Sequence, residues 1–208
     1  LTVSGVSVQE SGTEGPESGG WAGGVALSAG EWGPRGQQAS RPARKGVHVG
    51  AANDLSVEAP GAVAVVEIHR PPNNYFDIDL IAGIADALDE LAGDGSTRAV
   101  VLCAEGKHFC AGAELTRRDG AANERPGHLY DHAVRMFESP LPIVAAVNGS
   151  AIGGGLGLAL AADFRVASPE SRFTANFARL GFHHGFGLTV TLPRAVGEQA
   201  AAWLLYTG

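Results

Sequence analysis

The pattern of hydrophobic and polar residues changes sharply near residue 54. Residues 1–53 are rich in Gly, Ser, Glu and Pro, and they show neither the alternation of a strand nor the three-to-four spacing of a helix. A segment of this composition buries too little apolar surface to fold, so we predict that it is disordered. Regular patterns begin after it, and residues 54–208 are predicted to form one folded domain.

Strand-like and helix-like patterns alternate along this domain. Apolar runs rich in Val, Ile and Ala predict strands in the segments AVAVVEIHR, RAVVLCAEG, PLPIVAAVNG, DFRVASP and RFTANF. A three-to-four spacing of Ile and Leu predicts a helix in DIDLIAGIADALDELAGDG that ends at Gly93. Further helices are predicted at 127–137, in GLTVTLPRAVG and in GEQAAAWLLYTG. This alternation indicates an α/β domain whose strands are mainly parallel.

The overall composition excludes several classes of protein. The 208 residues carry a formal net charge of -7 and have no cluster of Lys and Arg, so no nucleic-acid partner is expected. No apolar run is long enough to span a bilayer, so no membrane association is expected either. Cys103 and Cys110 are predicted to be free and buried. Together with the lack of a basic and apolar leader, they predict a cytoplasmic protein.

Two segments combine a strand, small residues and the predicted start of a helix. They are FCAGAEL, residues 109–115, and AIGGGLG, residues 151–157. Glycine costs backbone entropy on folding, so a glycine run between apolar flanks indicates a ligand that approaches the backbone closely. Either segment alone is more often a tight strand-to-helix turn. Together, their N–H groups could converge on one acceptor as an oxyanion hole.

The glycine spacing does not fit the common nucleotide-binding motifs. No G-x-G-x-x-G can be placed over residues 153–157, and Gly106-Lys107 is followed by His108 rather than by Ser or Thr. No G-x-S-x-G surrounds Ser150. No separate cofactor is therefore expected.

In this order and separation, the two segments resemble the crotonase family, also called the enoyl-CoA hydratase/isomerase superfamily. The resemblance covers about residues 56–208 and extends to VEIHRPPNN, GKHFCAGAEL, PIVAAVNGSAIGGGLGLALAADFRVAS and RFTANFARLGF…LPRAVG. It implies the crotonase-like spiral of ββα units, with further C-terminal helices beyond Gly208, and assembly of the full-length protein as a homotrimer or hexamer. It also implies a lyase or isomerase of fatty acid metabolism that binds acyl-CoA thioesters, CoA being part of the substrate.

The resemblance also assigns roles to individual positions. The oxyanion donors would be the N–H groups of Ala113 and Gly154, which would hold a thioester enolate. Substrate and CoA contacts are expected from neighbouring positions, namely Ala111, Gly112, Glu114, Leu115, Gly153 and Phe177. A helix in the 127–137 region would line the acyl pocket, so His128 and His132 would influence the choice of acyl group. Their spacing of four alone does not predict a metal site, because no third ligand accompanies it.

The sequence departs from the hydratase pattern at both proton-carrying positions. The two glutamates that hydratases use fall on Gly157 and Phe177, so hydration by a carboxylate pair is not expected. His183 and His184, in LGFHHGFG, are the alternative proton carriers, since an imidazole titrates near pH 6.5. A structural role for both histidines is an equally good interpretation.

Three functions remain open at this point. The first is an acyl-CoA lyase or isomerase that stabilises a thioester enolate. The second is other enolate chemistry, such as decarboxylation, C–C cleavage or thioester hydrolysis, with a His as proton carrier. The third is a non-catalytic paralogue that only binds CoA thioesters.

Overall fold

The structure is a computed structural model, and it describes residues 46–47, 54–114 and 128–208. Residues 43–208 form one compact unit that contains all of them. Apart from the two residues of the first strand, the segment predicted to be disordered lies outside the described residues. The helix predicted to follow FCAGAEL also lies outside them.

Two sheets organise the described residues. The strands are β1 (Gly46–Val47), β2 (Leu55–Glu58), β3 (Val63–Ile68), β4 (Ala99–Ala104), β5 (Ile143–Val147), β6 (Ser150–Ile152), β7 (Phe164–Ala167) and β8 (Arg172–Thr174). A six-stranded sheet has the order β1-β2-β3-β4-β5-β7, and β6 pairs with β8 in a small second sheet. Strands β3, β4, β5 and β7 are parallel, as the alternation predicted, whereas β1, β2 and β3 are antiparallel. Strands β1, β2 and β6 were not predicted from the sequence.

The core lies on one face of the large sheet. Buried and half-buried residues alternate along β3, β4 and β5, as expected for strands with one covered face. Helix α1 (Ile78–Gly93) packs there through Ile81, Ile84 and Leu88. Asp77 caps its N-terminus, since its carboxylate accepts a hydrogen bond from the N–H of Leu80 at 3.0 Å. The helix has the predicted extent.

Four further α-helices complete the described part of the chain: α2 (Leu129–Phe137), α3 (Gly154–Ala161), α4 (Leu188–Val196) and α5 (Glu198–Thr207). Helix α2 begins two residues later than predicted, because His128 and Asp131 form a reciprocal capping box at its N-terminus. Arg135 of α2 pairs with Asp86 and Asp89 of α1 and fixes the two helices side by side. No helix in the described ranges is long and apolar enough to cross a membrane.

Helix α3 differs from the others because it is apolar on all sides. Its residues from Gly154 to Leu160 are all buried, and a helix with this composition belongs inside the protein. Its three glycines allow close approach of other backbone segments. A β-carbon on Gly155 would lie 2.1 Å from the carbonyl oxygen of Cys110. The N-terminus of α3 is therefore held against the segment that begins at Cys110.

Candidate active site

The two glycine-containing segments lie side by side in register. Cys110 pairs with Ala151 in a parallel bridge, and the N–H of Ile152 donates to the carbonyl of Cys110 at 3.0 Å. The two segments run in the same direction from this bridge. Ala113 and Gly154 each follow it by three residues, and a β-carbon on Gly112, next to Ala113, would lie 3.8 Å from the nitrogen of Gly154. The structure thus brings together the two positions that the sequence selected.

A second bridge orients Ala113. Phe76 donates its N–H to the carbonyl of Gly112 at 3.0 Å, and its own carbonyl accepts the N–H of Glu114 at 2.8 Å. Since successive peptide groups of an extended chain point in opposite directions, the N–H of Ala113 faces away from Phe76. Within the described residues, the N–H groups of Ala113 and Gly154 have no backbone acceptor. Two donors on neighbouring segments are therefore free to bind the same atom.

Two glycines make this approach of the segments possible. Gly112 has φ +104°, and a β-carbon there would lie 3.0 Å from the carbonyl oxygen of Ile152 and 3.8 Å from the nitrogen of Gly154. Gly153 has φ 56° and ψ -115°, a combination that is open essentially to glycine alone. It turns the chain from β6 directly into α3. The N–H of Gly154 is thus at the positive end of a helix.

Both donors line one cavity of about 300 Å³. Most of its lining is apolar, as is usual for a pocket that binds a small molecule. Among the described residues, three lining side chains are polar: His128, Tyr130 and Asn176. The full lining consists of Phe76, Ala111, Gly112, Ala113, His128, Leu129, Tyr130, Ile152, Gly153, Gly154, Asn176, Phe177, Leu180, Phe182 and Phe186.

Six of the residues selected from the sequence line this cavity: Ala111, Gly112, Ala113, Gly153, Gly154 and Phe177. Glu114 is half-buried and is not among the lining residues. Leu115 lies outside the described residues. His128 lines the cavity, whereas His132, one turn further along α2, does not.

His183 and His184 are placed beside the cavity and do not line it. The ring of His184 is half-buried and meets Phe177 edge-on, with the ring centroids 5.8 Å apart. Its buried Nδ1 has no hydrogen-bond partner in the described part of the chain. His183 is exposed and donates from Nδ1 to the carbonyl of His184 at 2.9 Å. Of the two histidines, His184 is the one that contacts a lining residue.

The first hydratase carboxylate position, Gly157, has no room for a side chain. A β-carbon there would lie 2.5 Å from the β-carbon of Phe186 and 2.9 Å from its carbonyl oxygen. Phe186 is 3% exposed and packs against Phe76, with ring centroids 5.4 Å apart. The second position carries Phe177. Aromatic side chains therefore stand where hydratases have carboxylates.

Eight lining residues were not predicted from the sequence as members of the site: Phe76, Leu129, Tyr130, Ile152, Asn176, Leu180, Phe182 and Phe186. Phe76 and Phe186 are separated by more than a hundred residues, and no local pattern links either of them to α3. Asn176 directly precedes Phe177 in the predicted strand RFTANF, but this part of the segment is a turn. Tyr130 had a sequence signal, because it lies between His128 and His132 on a helix expected at the acyl pocket.

The cysteine beside the site is not suited to nucleophilic chemistry. Cys110 is fully buried next to residues 111–114, the donor segment that carries the N–H of Ala113. This burial raises the pKa of its thiol to about 12. It is therefore a neutral thiol near pH 7. In the described residues, no three His, Cys, Asp or Glu side chains are grouped as metal ligands would be. The described residues thus bring two backbone donors and a mostly apolar lining to the cavity.

Known proteins share this sequence and fold. The sequence profile of the Enoyl-CoA hydratase/isomerase family matches residues 58–208. A protein of Mycobacterium tuberculosis named "Probable enoyl-CoA hydratase EchA14" is 41% identical over 151 residues, which are 70% of this chain and 59% of that protein. The chain thus spans less than two thirds of this relative.

Solved structures give the same result for the fold. An enoyl-CoA hydratase subunit of Geobacillus kaustophilus superimposes with a TM-score of 0.68 at 31% identity, covering 74% of this chain and 62% of that one. An enoyl-CoA hydratase/isomerase of Pseudoalteromonas atlantica gives a TM-score of 0.68 at 34% identity, covering 73% of this chain and 61% of that one. The crotonase-like α/β fold predicted from the motifs is confirmed. The chain belongs to the enoyl-CoA hydratase/isomerase family.

Proposed function

We propose that the chain is the acyl-CoA-binding part of an enzyme that stabilises a thioester enolate between the N–H groups of Ala113 and Gly154. The observation that carries the proposal is that both N–H groups lack a backbone acceptor among the described residues and that both residues line one cavity, on two segments paired at Cys110 and Ala151. A thioester oxygen that gains negative charge is stabilised by two such donors more strongly than the neutral carbonyl is. The N-terminus of α3 adds its partial positive charge at the same point.

The lining favours chemistry that needs few proton carriers. Hydration by a carboxylate pair is not supported, because Gly157 is covered by Phe186 and the second position is Phe177. Isomerisation, decarboxylation, C–C cleavage and thioester hydrolysis all proceed through stabilised oxyanions and do not require that pair. His184, whose ring meets the lining residue Phe177, is the candidate proton carrier, with His183 as the second; since neither lines the cavity, the Phe177 side chain would have to move for either imidazole to reach the substrate.

A second candidate function is binding of acyl-CoA without chemistry. The specific observation in its favour is the loss of both carboxylate positions to aromatic packing while the two backbone donors are retained. In either case CoA enters as part of the substrate, with no separate cofactor. Assembly as a homotrimer or hexamer and a cytoplasmic location belong to the same proposal.

The decisive experiment is a parallel binding and turnover screen on the purified protein. Calorimetry would measure affinity for free CoA, acetyl-CoA and butyryl-CoA. A spectrophotometric assay would follow short, medium and aromatic enoyl-CoAs and malonyl-CoA. We expect acyl-CoAs to bind more tightly than free CoA, and slow or absent hydration of crotonyl-CoA. If no acyl-CoA binds better than free CoA, the proposal is wrong. If acyl-CoAs bind but none is turned over, the binding function is the correct one.

A further inference from the structure

Two phenylalanine residues cover one face of the first turn of α3. Phe76 lies on Gly154 with its ring, since a β-carbon there would be 2.5 Å from its Cζ, and Phe186 lies on Gly157 with its β-carbon and carbonyl oxygen, which would be 2.5 and 2.9 Å from a β-carbon there. Gly154 and Gly157 are three residues apart, about 4.5 Å along the axis, and so share a helix face. The two rings contact each other. An acyl group whose carbonyl is held at Gly154 therefore meets Phe76 first and Phe186 next.

Phe186 separates the cavity from a third ring. Phe137, at the end of α2, packs behind Phe186 with the ring centroids 6.4 Å apart. Phe137 does not line the cavity and is 40% exposed, whereas Phe186 lines it and is buried. Removing part of the Phe186 ring would extend the cavity towards Phe137. The Phe186 side chain is therefore the wall at this end.

The backbone holds this wall in an uncommon conformation. Phe186 has φ 52°, in the left-handed region that bulky residues rarely adopt. The glycines on either side of it lie close to other side chains. A β-carbon on Gly185 would lie 2.1 Å from Oη of Tyr130, and one on Gly187 would lie 3.2 Å from Cζ of Phe137. Such an outlier persists only where the surroundings impose it, and outliers of this kind cluster at ligand-binding sites.

We propose that Phe186 closes the acyl end of the cavity and limits the length of the acyl group, so that the site takes short, apolar acyl-CoAs. This inference rests on the proposed function of the site. A volume of about 300 Å³ is at the low end for ligand pockets, which fits a compact acyl group. The rings of Phe76, Phe177 and Phe186 form most of the surface at this end, which favours an apolar acyl group, and the Tyr130 hydroxyl lies beside it at Gly185.

The test is a chain-length series with saturated acyl-CoAs, which report binding without turnover. Calorimetry would compare free CoA with acetyl-, butyryl-, hexanoyl- and octanoyl-CoA on the parent protein, Phe186→Leu and the matched control Phe137→Leu. Each newly buried methylene raises affinity about fourfold. We expect Phe186→Leu to shift the ratio of octanoyl to butyryl affinity by at least about tenfold in favour of octanoyl. The Phe137→Leu variant should keep the parental ratio.

The possible outcomes separate the two proposals. If circular dichroism shows that Phe186→Leu is unfolded, Phe186→Met provides the same test, because Met is unbranched and has a volume similar to that of Leu. If butyryl-CoA binds the parent better than free CoA but the ratio is the same in all folded variants, Phe186 does not limit the acyl group, and the proposed function stands. If no acyl-CoA binds the parent better than free CoA, the proposed function fails, and this inference fails with it.

Discussion

The ring of Phe76 lies directly on the α-carbon of Gly154. A β-carbon at residue 154 would stand 2.5 Å from Cζ and 2.8 Å from Cε1 of this ring, closer than non-bonded carbons approach. Both residues are buried, and the backbone of Phe76 is also hydrogen-bonded to Gly112 and Glu114. These bonds fix the backbone of Phe76, and its buried ring is held in place by packing against Phe186. Residue 154 must be glycine for a steric reason, in addition to any role of its N–H group.

Substitutions at Gly154 can separate the steric role from the donor role. Gly154→Ala keeps the N–H group but collides with Phe76, and we expect it to lower the free energy of unfolding by about 1–3 kcal/mol. Gly154→Pro also removes the donor, and we expect a further loss of at least about 100-fold in kcat/KM, or in acyl-CoA affinity if nothing is turned over. Gly93→Ala, at an open position, is the control for both. Equal activity in the Ala and Pro variants would refute the donor role.

Replacing the missing carboxylate should not create a hydratase. Gly157→Glu would place its side chain against both the β-carbon and the backbone oxygen of Phe186, so shortening the Phe186 side chain alone would not relieve the contact. We expect a fall in melting temperature and no gain in crotonyl-CoA hydration. Thermal unfolding and the loss of enoyl absorbance are the measurements. A folded variant that hydrates crotonyl-CoA efficiently would contradict this prediction, because it would show that the loop around Phe186 moves to make room for the glutamate side chain.

The two histidines are expected to differ in their effect on turnover. His184→Ala should lower kcat on the best substrate at least about 100-fold with little change in acyl-CoA affinity, because this ring is half-buried against Phe177. His183→Ala removes the imidazole of an exposed neighbour, and its decrease in kcat should be smaller than that of His184→Ala. Unchanged kcat in both variants and in the double variant would make the histidines structural.

The two thiols should be unreactive in the folded protein. Burial raises the pKa of Cys103 to about 12, with a smaller contribution from the charge of Glu67, and burial raises the pKa of Cys110 equally. Little thiolate is present at pH 8, so a thiol reagent should modify both only slowly until denaturant is added. The Cys103→Ser variant keeps only Cys110, so comparing it with the parent protein assigns each labelling rate to one cysteine. Rapid labelling of Cys110 without unfolding would contradict its burial.

The same shifts predict a loss of stability in alkali. In the unfolded chain the thiols ionise around pH 9, whereas in the folded chain they stay protonated until about pH 12. The unfolded state therefore loses protons first as the pH rises through 9, and the free energy of unfolding falls from there. Urea denaturation at pH 8 and pH 10 is the measurement, with Cys103→Ser as the variant in which the decrease should be smaller.

Asn74 should be important for the stability of the donor segment. It is fully buried at φ 50°, and its side-chain amide donates to the carbonyls of Glu105 and His108 while its oxygen accepts the N–H of Arg70. Asn74→Ala would leave the carbonyls of Glu105 and His108 and the N–H of Arg70 without these partners, so we expect a loss of about 1–3 kcal/mol in the free energy of unfolding. Chemical denaturation measures it. Asn73→Ala, at the half-buried neighbour, is the control, and equal loss in both would contradict this account.

Much of the fold follows from local patterns. The alternation of apolar runs with three-to-four spacing located α1, the central parallel strands and the C-terminal helices, because these elements are long enough to show their period. Strands β2 and β6 were not predicted, although β7 and β8, which have the same lengths, were; β6 overlaps the start of AIGGGLG, whose residues were interpreted as the small residues between a strand and a helix. The motifs FCAGAEL and AIGGGLG, in their order and separation, were enough to indicate the family, since a glycine needed for backbone approach leaves a trace in the sequence.

The sequence by itself therefore determined the family, the class of fold and the two positions whose N–H groups line the cavity. Only the tertiary structure decided what surrounds them. It placed Phe76 and Phe186 on the first turn of α3, put His184 behind Phe177 and left Glu114 out of the cavity lining. Backbone donors depend on local turns, which short motifs encode. The packing of side chains from distant segments depends on how β6, α3 and the 185–187 loop come together, and no local pattern records that.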